Sequence, residues 1–285
     1  MTVACPHCKQ PIPPRFLDVP KPTNTAVMLH ILLDYFPHGC QAEREYNARV
    51  RAASDGAEAR EREAEWQAAL QKAGLTGWLA GATFENFAPR QDWEGAMFRR
   101  DRVMAYAHAL LNGEMGKCNW LILHGGYGAG KSHLAASVIY RVIAAGWKGC
   151  YFRVWTEYLQ RIQASWDRNR KSEEDGESEA DITAELMKGR LVVIDDLDKR
   201  PGSEWSRRVL FTALNHRLNE GMPTILTFNY GPGQADPKVP GRLALLDYVG
   251  EAVLDRIVGT AFDLVEFDGP SYRSGVDYKA MERSR

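Results

Sequence analysis

The chain has 285 residues and a formal net charge of −1, so no global basic field draws it to nucleic acid and any such contact has to come from a local patch. That length holds one full α/β core plus a smaller unit. No apolar run reaches a membrane span, the opening MTVACPHCKQ lacks the regions of a signal peptide, and five cysteines make an odd count for a disulfide framework, so a cytoplasmic protein is expected.

Residues 1–40 carry Cys5-Pro-His-Cys8, a proline-rich stretch from Pro11 to Pro22, an apolar segment Val27–Phe36, and then Pro37-His38-Gly39-Cys40. A C-x-x-C pair offers two thiolates to one tetrahedral ion. This predicts a zinc site of Cys5, Cys8 and Cys40, with His38, His30 or His7 as fourth ligand. Unligated thiols are the alternative; a segment this small needs a staple to be ordered, which favours zinc. Residues 41–73 are dense in Glu, Arg and Ala and alternate in charge at short range, which predicts a solvent-exposed helix laced with i,i+4 pairs. Tyr46, Val50, Trp66 and Leu70 are its apolar anchors. It reads equally as a spacer and as a docking arm.

Gly74–Pro89 gathers glycines and aromatics and ends in Thr83-Phe84-Glu85-Asn86-Phe87. The domain boundary is set here, between an N-terminal partner-docking region, 1–80, and a core, 81–285. Asp92–Leu111 predicts a helix stopped by Asn112-Gly113. Trp120–Ser132, WLILHGGYGAGKS, then runs from a short apolar strand straight into a glycine-rich turn that fits G-x-x-x-x-G-K-[ST]. Such a loop wraps backbone N–H groups around a phosphate chain, and side chains at its tight points would block the approach. Gly125, Gly126, Gly128, Ala129, Gly130, Lys131, Ser132 and His133 form the expected nucleotide cradle. Lys131 would reach the β- and γ-phosphates, and the Ser132 hydroxyl would hold Mg²⁺. Leu134, Val138 and Val142, with Ala135, Ile139 and Ile143, make one buried face of the following helix, whose N-terminal dipole adds to the anion site.

Further strands are expected at Gly149–Val154, Leu191–Ile194, Pro223–Phe228 and Phe262–Phe267, with helices from Thr156, over Trp205–Asn219 and near Leu245–Ile257. The acidic run SEEDGESEAD before Leu191 is expected as an exposed loop. Alternating strands and helices predict a parallel, doubly wound sheet. LVVI followed by Asp195 and Asp196 is the expected partner of the phosphate loop. Asp195 would hold Mg²⁺, and Asp196 would orient the attacking water or take its proton. Asn229, ending a strand, reads as a residue that positions the water or senses the γ-phosphate, or as a turn former. Between residues 151 and 171, five basic residues face two acidic ones. Trp155, Tyr158 and Trp166 interleave there with Arg161, Arg168, Arg170 and Lys171, a combination suited to stacking bases and following phosphates of single-stranded DNA. The competing reading puts Trp155 and Tyr158 in the core and the cations on a solvated helix end.

GGYGAGKSHLAAS at 125–137, LVVIDDLD at 191–198, PTILTFNY at 223–230 and VGEAVLDRIVG…VEFDGPSYR at 249–273 resemble the AAA+ ATPases of the DnaC/DnaI helicase-loader type, with the IstB transposition helpers as close relatives. TFENF at 83–87 is similar to that family's lead-in to its core. The resemblance implies an α/β AAA+ P-loop NTPase core, a central parallel sheet flanked by helices, behind a small, mainly helical N-terminal domain. It puts Asn229 at sensor 1, Arg256 at an arginine finger acting on the neighbouring subunit's ATP, and Arg273 at a sensor 2-like position. The implied activity is ATP hydrolysis, weak in the monomer and completed by self-assembly. The implied role is loading of the replicative hexameric helicase on single-stranded DNA; the alternative within the family is help to a DNA transposase. A P-loop kinase of a small metabolite would need a substrate pocket and lid that the sequence does not display. A non-hydrolysing adaptor would bind ATP without turnover.

Overall fold

The computed structural model describes residues 3–4, 9, 11–12, 41–89, 93–170, 177–198, 203–229, 245–269 and 271–272. The chain divides into two compact units, 1–66 and 67–285, a division that falls inside a helix. In the first unit β1 (Val3–Ala4) pairs antiparallel with β2 (Pro11–Ile12). Cys5, Cys8, His38 and Cys40, together with His7 and His30, lie outside the described residues.

Helix α1 (Gln41–Ala73) spans the expected charged stretch, and residues 59–65 are exposed. Its end is built by Gly74 at φ +90°: Leu75 N–H donates to Leu70 O and Gly74 N–H to Gln71 O, while Leu70 and Leu75 are both buried. That is a Schellman closure with its hydrophobic contact. The same closure, with a glycine of positive φ just past the last turn, ends α2 (Trp93–Asn112) at Gly113 and α3 (Lys131–Ala144) at Gly146.

The second unit is built on a five-stranded sheet of order β4-β5-β6-β3-β7, parallel throughout. Its strands are β3 (Trp120–Gly125), β4 (Cys150–Val154), β5 (Leu191–Asp195), β6 (Thr224–Phe228) and β7 (Ala261–Phe267). Every residue of β5 and β6 is buried, which is why both read as nearly unbroken apolar runs. Trp120 and Ile122, Val192 and Ile194, and Leu226 and Phe228 alternate onto one face. There they pack with α4 (Trp155–Arg170), α5 (Glu179–Lys188), α6 (Glu204–Asn219), α7 (Leu245–Val249) and α8 (Glu251–Gly259). Helix α3 packs against β4, β5 and β6, and α2 against α3 and β7.

Two expectations change. The acidic run is helical from Glu179, because Ser178 and Asp181 form a capping box that starts α5. The helix near 245–257 is two helices, parted at Gly250 with φ +76°. Arg217 on α6 is fully buried with no carboxylate partner among the described residues: its guanidinium donates to Thr224 Oγ1 and to the carbonyls of Leu186, Gly189 and Pro223. It ties α6, the end of α5 and the start of β6 together, and desolvation pushes its pKa down to about 10. No described helix is long and apolar enough to cross a membrane.

Candidate nucleotide site

The parallel sheet brings the C-terminal ends of β3, β5 and β6 side by side, and the site is assembled there. The loop from β3 to α3 turns through Gly128 (φ +69°) and Gly130 (φ +97°). A Cβ at Gly128 would overlap the Ser271 side chain, and one at Gly130 would lie 2.5 Å from the Phe87 ring. Glycine is therefore required twice over, by backbone conformation and by close approach. Gly130 caps α3 without a side-chain acceptor, which leaves the first N–H groups of the helix for an anion.

Lys131 opens α3 almost fully buried, its Nζ donating to Gly125 O at 2.9 Å, Gly126 O at 2.8 Å and Asn229 Oδ1 at 3.0 Å. Ser132 Oγ donates to Asp195 Oδ1 at 2.9 Å. Thr227 Oγ1 donates to the same oxygen at 2.6 Å and accepts the Asp196 N–H at 3.0 Å. Thr227 thus links the two acids across the β5–β6 seam, and Asp196 takes φ +57° just past the strand. Burial, then the neighbouring Asp196 carboxylate, raises the Asp195 pKa to about 6 against the opposing hydrogen bonds from Thr227 and Ser132. Asp198 binds Asn229 twice and is itself raised, chiefly by burial.

The loop is clasped from two sides. Phe87 lies 5.4 Å from the His133 ring and 5.5 Å, edge-on, from Tyr272. His133 Nε2 is 2.8 Å from Thr83 O, so that nitrogen carries the proton; burial lowers its pKa. Tyr272 N–H donates to Gly128 O at 2.9 Å. A cavity of about 600 Å³ opens over the loop, lined among others by Trp78, Tyr127, Lys131, Asp196, Asn229 and Tyr272. A polar cavity of about 800 Å³ adjoins Ser132, Asp195 and Asp196 and is walled by Arg153, Glu157 and Glu185.

The donor set fits Mg²⁺. Among the described residues no group of three or more His, Cys, Asp or Glu side chains could hold a metal. Ser132 and Asp195 offer two hard oxygens on one side, as suits an ion that keeps water and substrate phosphate for the rest.

The structure brings Lys131, Ser132, Asp195, Asp196 and Asn229 together. Arg256 is elsewhere: exposed on α8, it donates to Asn215 Oδ1 at 3.2 Å and Asn219 Oδ1 at 2.7 Å and does not line the nucleotide cavity. Arg273 lies outside the described residues. The expected base-stacking set is corrected. Trp155 and Tyr158 are 1% and 2% exposed and belong to the core, so neither ring can meet a base. Trp166 packs edge-on against Trp205 at 4.9 Å and donates its indole N–H to Glu179, while Arg161 is paired with Glu177 and Glu185. The side chains of Arg168 and Arg170, and all of Lys171, are outside the described residues. Thr227 and Asp198 are the two site residues that sequence reasoning missed. Their signals were a threonine inside an apolar strand and a third acid after the expected pair.

A five-stranded parallel sheet flanked by helices, with a glycine loop at the end of an inner strand, β3, and two acids at the end of another, β5, defines a P-loop NTPase of the AAA+ type. Residues 115–280 match the family of IstB-like ATP binding proteins, and the chain belongs to that family. It is 27% identical over 211 residues, 71% of this chain and 75% of the relative, to a protein described as an ATP-binding protein in an insertion sequence of Mycobacterium tuberculosis (strain ATCC 25618 / H37Rv). A second insertion-sequence ATP-binding protein, from Sinorhizobium fredii (strain NBRC 101917 / NGR234), is 27% identical over 246 residues, 77% of this chain and 76% of the relative. The crystal structure of DnaI shares the fold at TM-score 0.50 and 18% identity, covering 68% of this chain and 92% of that one.

Proposed function

We propose that this chain is the ATP-hydrolysing helper of a DNA transposase, with hydrolysis as its release switch. The observation that carries the reading is the convergence of Lys131, Ser132, Asp196 and Asn229 on one cavity, with Asp195 hydrogen-bonded to Ser132 at its edge, in a chain whose relatives are described as insertion-sequence ATP-binding proteins. The Lys131 ammonium and the N–H groups of the loop bind the triphosphate of ATP. Magnesium, when held by Ser132 and Asp195, supplies charge against the phosphate oxygens. Asp196 orients the attacking water or takes its proton, and Asn229 helps position it.

Arg256 is exposed and does not line its own cavity, which supports its acting on the ATP of a neighbouring subunit. Assembly then completes the site and couples oligomerisation to the nucleotide. Arg273 is proposed to touch the nucleotide from the C-terminal tract. Residues 1–80 are proposed to dock the partner protein, with Cys5, Cys8, Cys40 and His38 binding zinc. Arg168, Arg170 and Lys171 remain the proposed contacts to DNA phosphates.

Co-elution with ATP present tests the partner. Joint elution with an insertion-sequence transposase, lost on removal of residues 1–80, is the expected result. Joint elution with the host's replicative helicase instead would favour a helicase loader, the role that the likeness to that family suggests.

A further inference from the structure

Asn229 ends its strand with both halves of its side-chain amide committed to partners of opposite demand. Its backbone N–H donates to Asp198 Oδ2 at 2.8 Å and its Nδ2 donates to Asp198 Oδ1 at 3.0 Å. Its Oδ1 accepts from Lys131 Nζ at 3.0 Å. A carboxylate only accepts and an ammonium only donates, so these neighbours permit one orientation of the amide. Turned over, Asn229 would set donor against donor at Lys131 and acceptor against acceptor at Asp198. All three residues are less than a tenth exposed, so either clash would fall on groups with little access to water.

We propose that Asp198 is a positioning residue that locks the Asn229 amide with Oδ1 toward the nucleotide cavity. Asn229 therefore serves that cavity as a hydrogen-bond acceptor, for the Lys131 ammonium or for an O–H of the attacking water, and not as a donor to the terminal phosphate. The proposal rests on the reading of the cavity as a site of ATP hydrolysis and adds to it the polarity of one contact and the residue that sets it.

Asp198→Asn keeps the shape and changes one acceptor into a donor. The backbone N–H of residue 229 claims the remaining oxygen, so the new N–H₂ faces the Asn229 side chain and forces its oxygen away from the cavity. Turnover should fall about tenfold or more, with affinity for a fluorescent ATP analogue changed by less than about threefold. Asn229→Asp puts two carboxylates face to face and should lose turnover similarly. The exchanged pair, Asp198→Asn with Asn229→Asp, again matches donor to acceptor and again offers an oxygen to Lys131, so its turnover should exceed either single variant by about tenfold.

An exchanged pair no better than the single variants, with all three folded by melting temperature and binding the analogue, overturns the proposal, because that is what a donor role requires. A second readout needs no turnover. In protein labelled with nitrogen-labelled asparagine, the Asn229 side-chain amide should exchange slowly and shift in Asp198→Asn. An unchanged signal overturns the lock even if the wild-type protein binds ATP without hydrolysing it, an outcome that would itself defeat only the ATPase reading.

Discussion

Asp195 meets three demands at once: it is buried, it sits beside a second carboxylate, and one of its oxygens receives both the Ser132 and the Thr227 hydroxyls. Burial and Asp196 outweigh the hydroxyls, so the folded protein retains a proton there that the unfolded chain releases near 3.8. The folded state then binds more protons than the unfolded one between that value and about 6, so stability without metal falls as pH rises through this window. Asp195→Asn removes the titration. Melting curves across this range should show the wild-type slope and its absence in the variant, with the variant unresponsive to Mg²⁺. Thr227→Val deletes the hydroxyl that joins Asp195 to the Asp196 N–H, at a cost of about 1–2 kcal/mol for the group left unpaired. It should also push the Asp195 pKa further up and weaken Mg²⁺-dependent ATP binding; unchanged metal dependence would remove Thr227 from the site.

At the scale of elements, local punctuation and a buried cation do what the apolar pattern leaves undone. The helices α1, α2 and α3 stop at glycines that close the last turn, while Arg217 gathers three carbonyls from two segments. Arg217→Met keeps the volume and abandons those carbonyls, so equilibrium unfolding should show a loss of about 3 kcal/mol. The five core strands and the phosphate loop were legible because buried parallel strands read as apolar runs and a phosphate cradle demands glycine at fixed spacing. The misreading of Trp155 and Tyr158 has a physical cause. With Ile162 and Trp166 they recur at helical spacing, and such a stripe is the core face of an amphipathic helix as readily as a stacking platform. Arg161 looked like a free cation, since its partners Glu177 and Glu185 come from another segment, beyond what helical periodicity can register. Thr227 and Asp198 were hidden for the same reason: each acts across strands, and pairing across strands is set by the sheet.

For the whole molecule, a phosphate loop and an exposed Arg256 that does not line the cavity support the proposal that one subunit holds ATP while another helps to cleave it. The zinc proposal belongs to this scale too, as the staple of the partner-docking region. Metal analysis of the purified chain should find about one zinc per chain, lost when Cys5 and Cys8 are both replaced by Ser. Zinc content unaffected by that double change would retire the ligand set.

The most direct test of a shared ATP site is a mixing experiment with two inactive variants. Lys131→Ala removes the phosphate-binding ammonium but keeps Arg256, and Arg256→Ala keeps a complete loop but lacks the finger. Each alone should hydrolyse little ATP, whereas a mixture should recover a measurable part of the wild-type rate, because one variant supplies the finger and the other the loop. A mixture as inactive as its components, with both variants still assembling, would contradict a site completed between subunits.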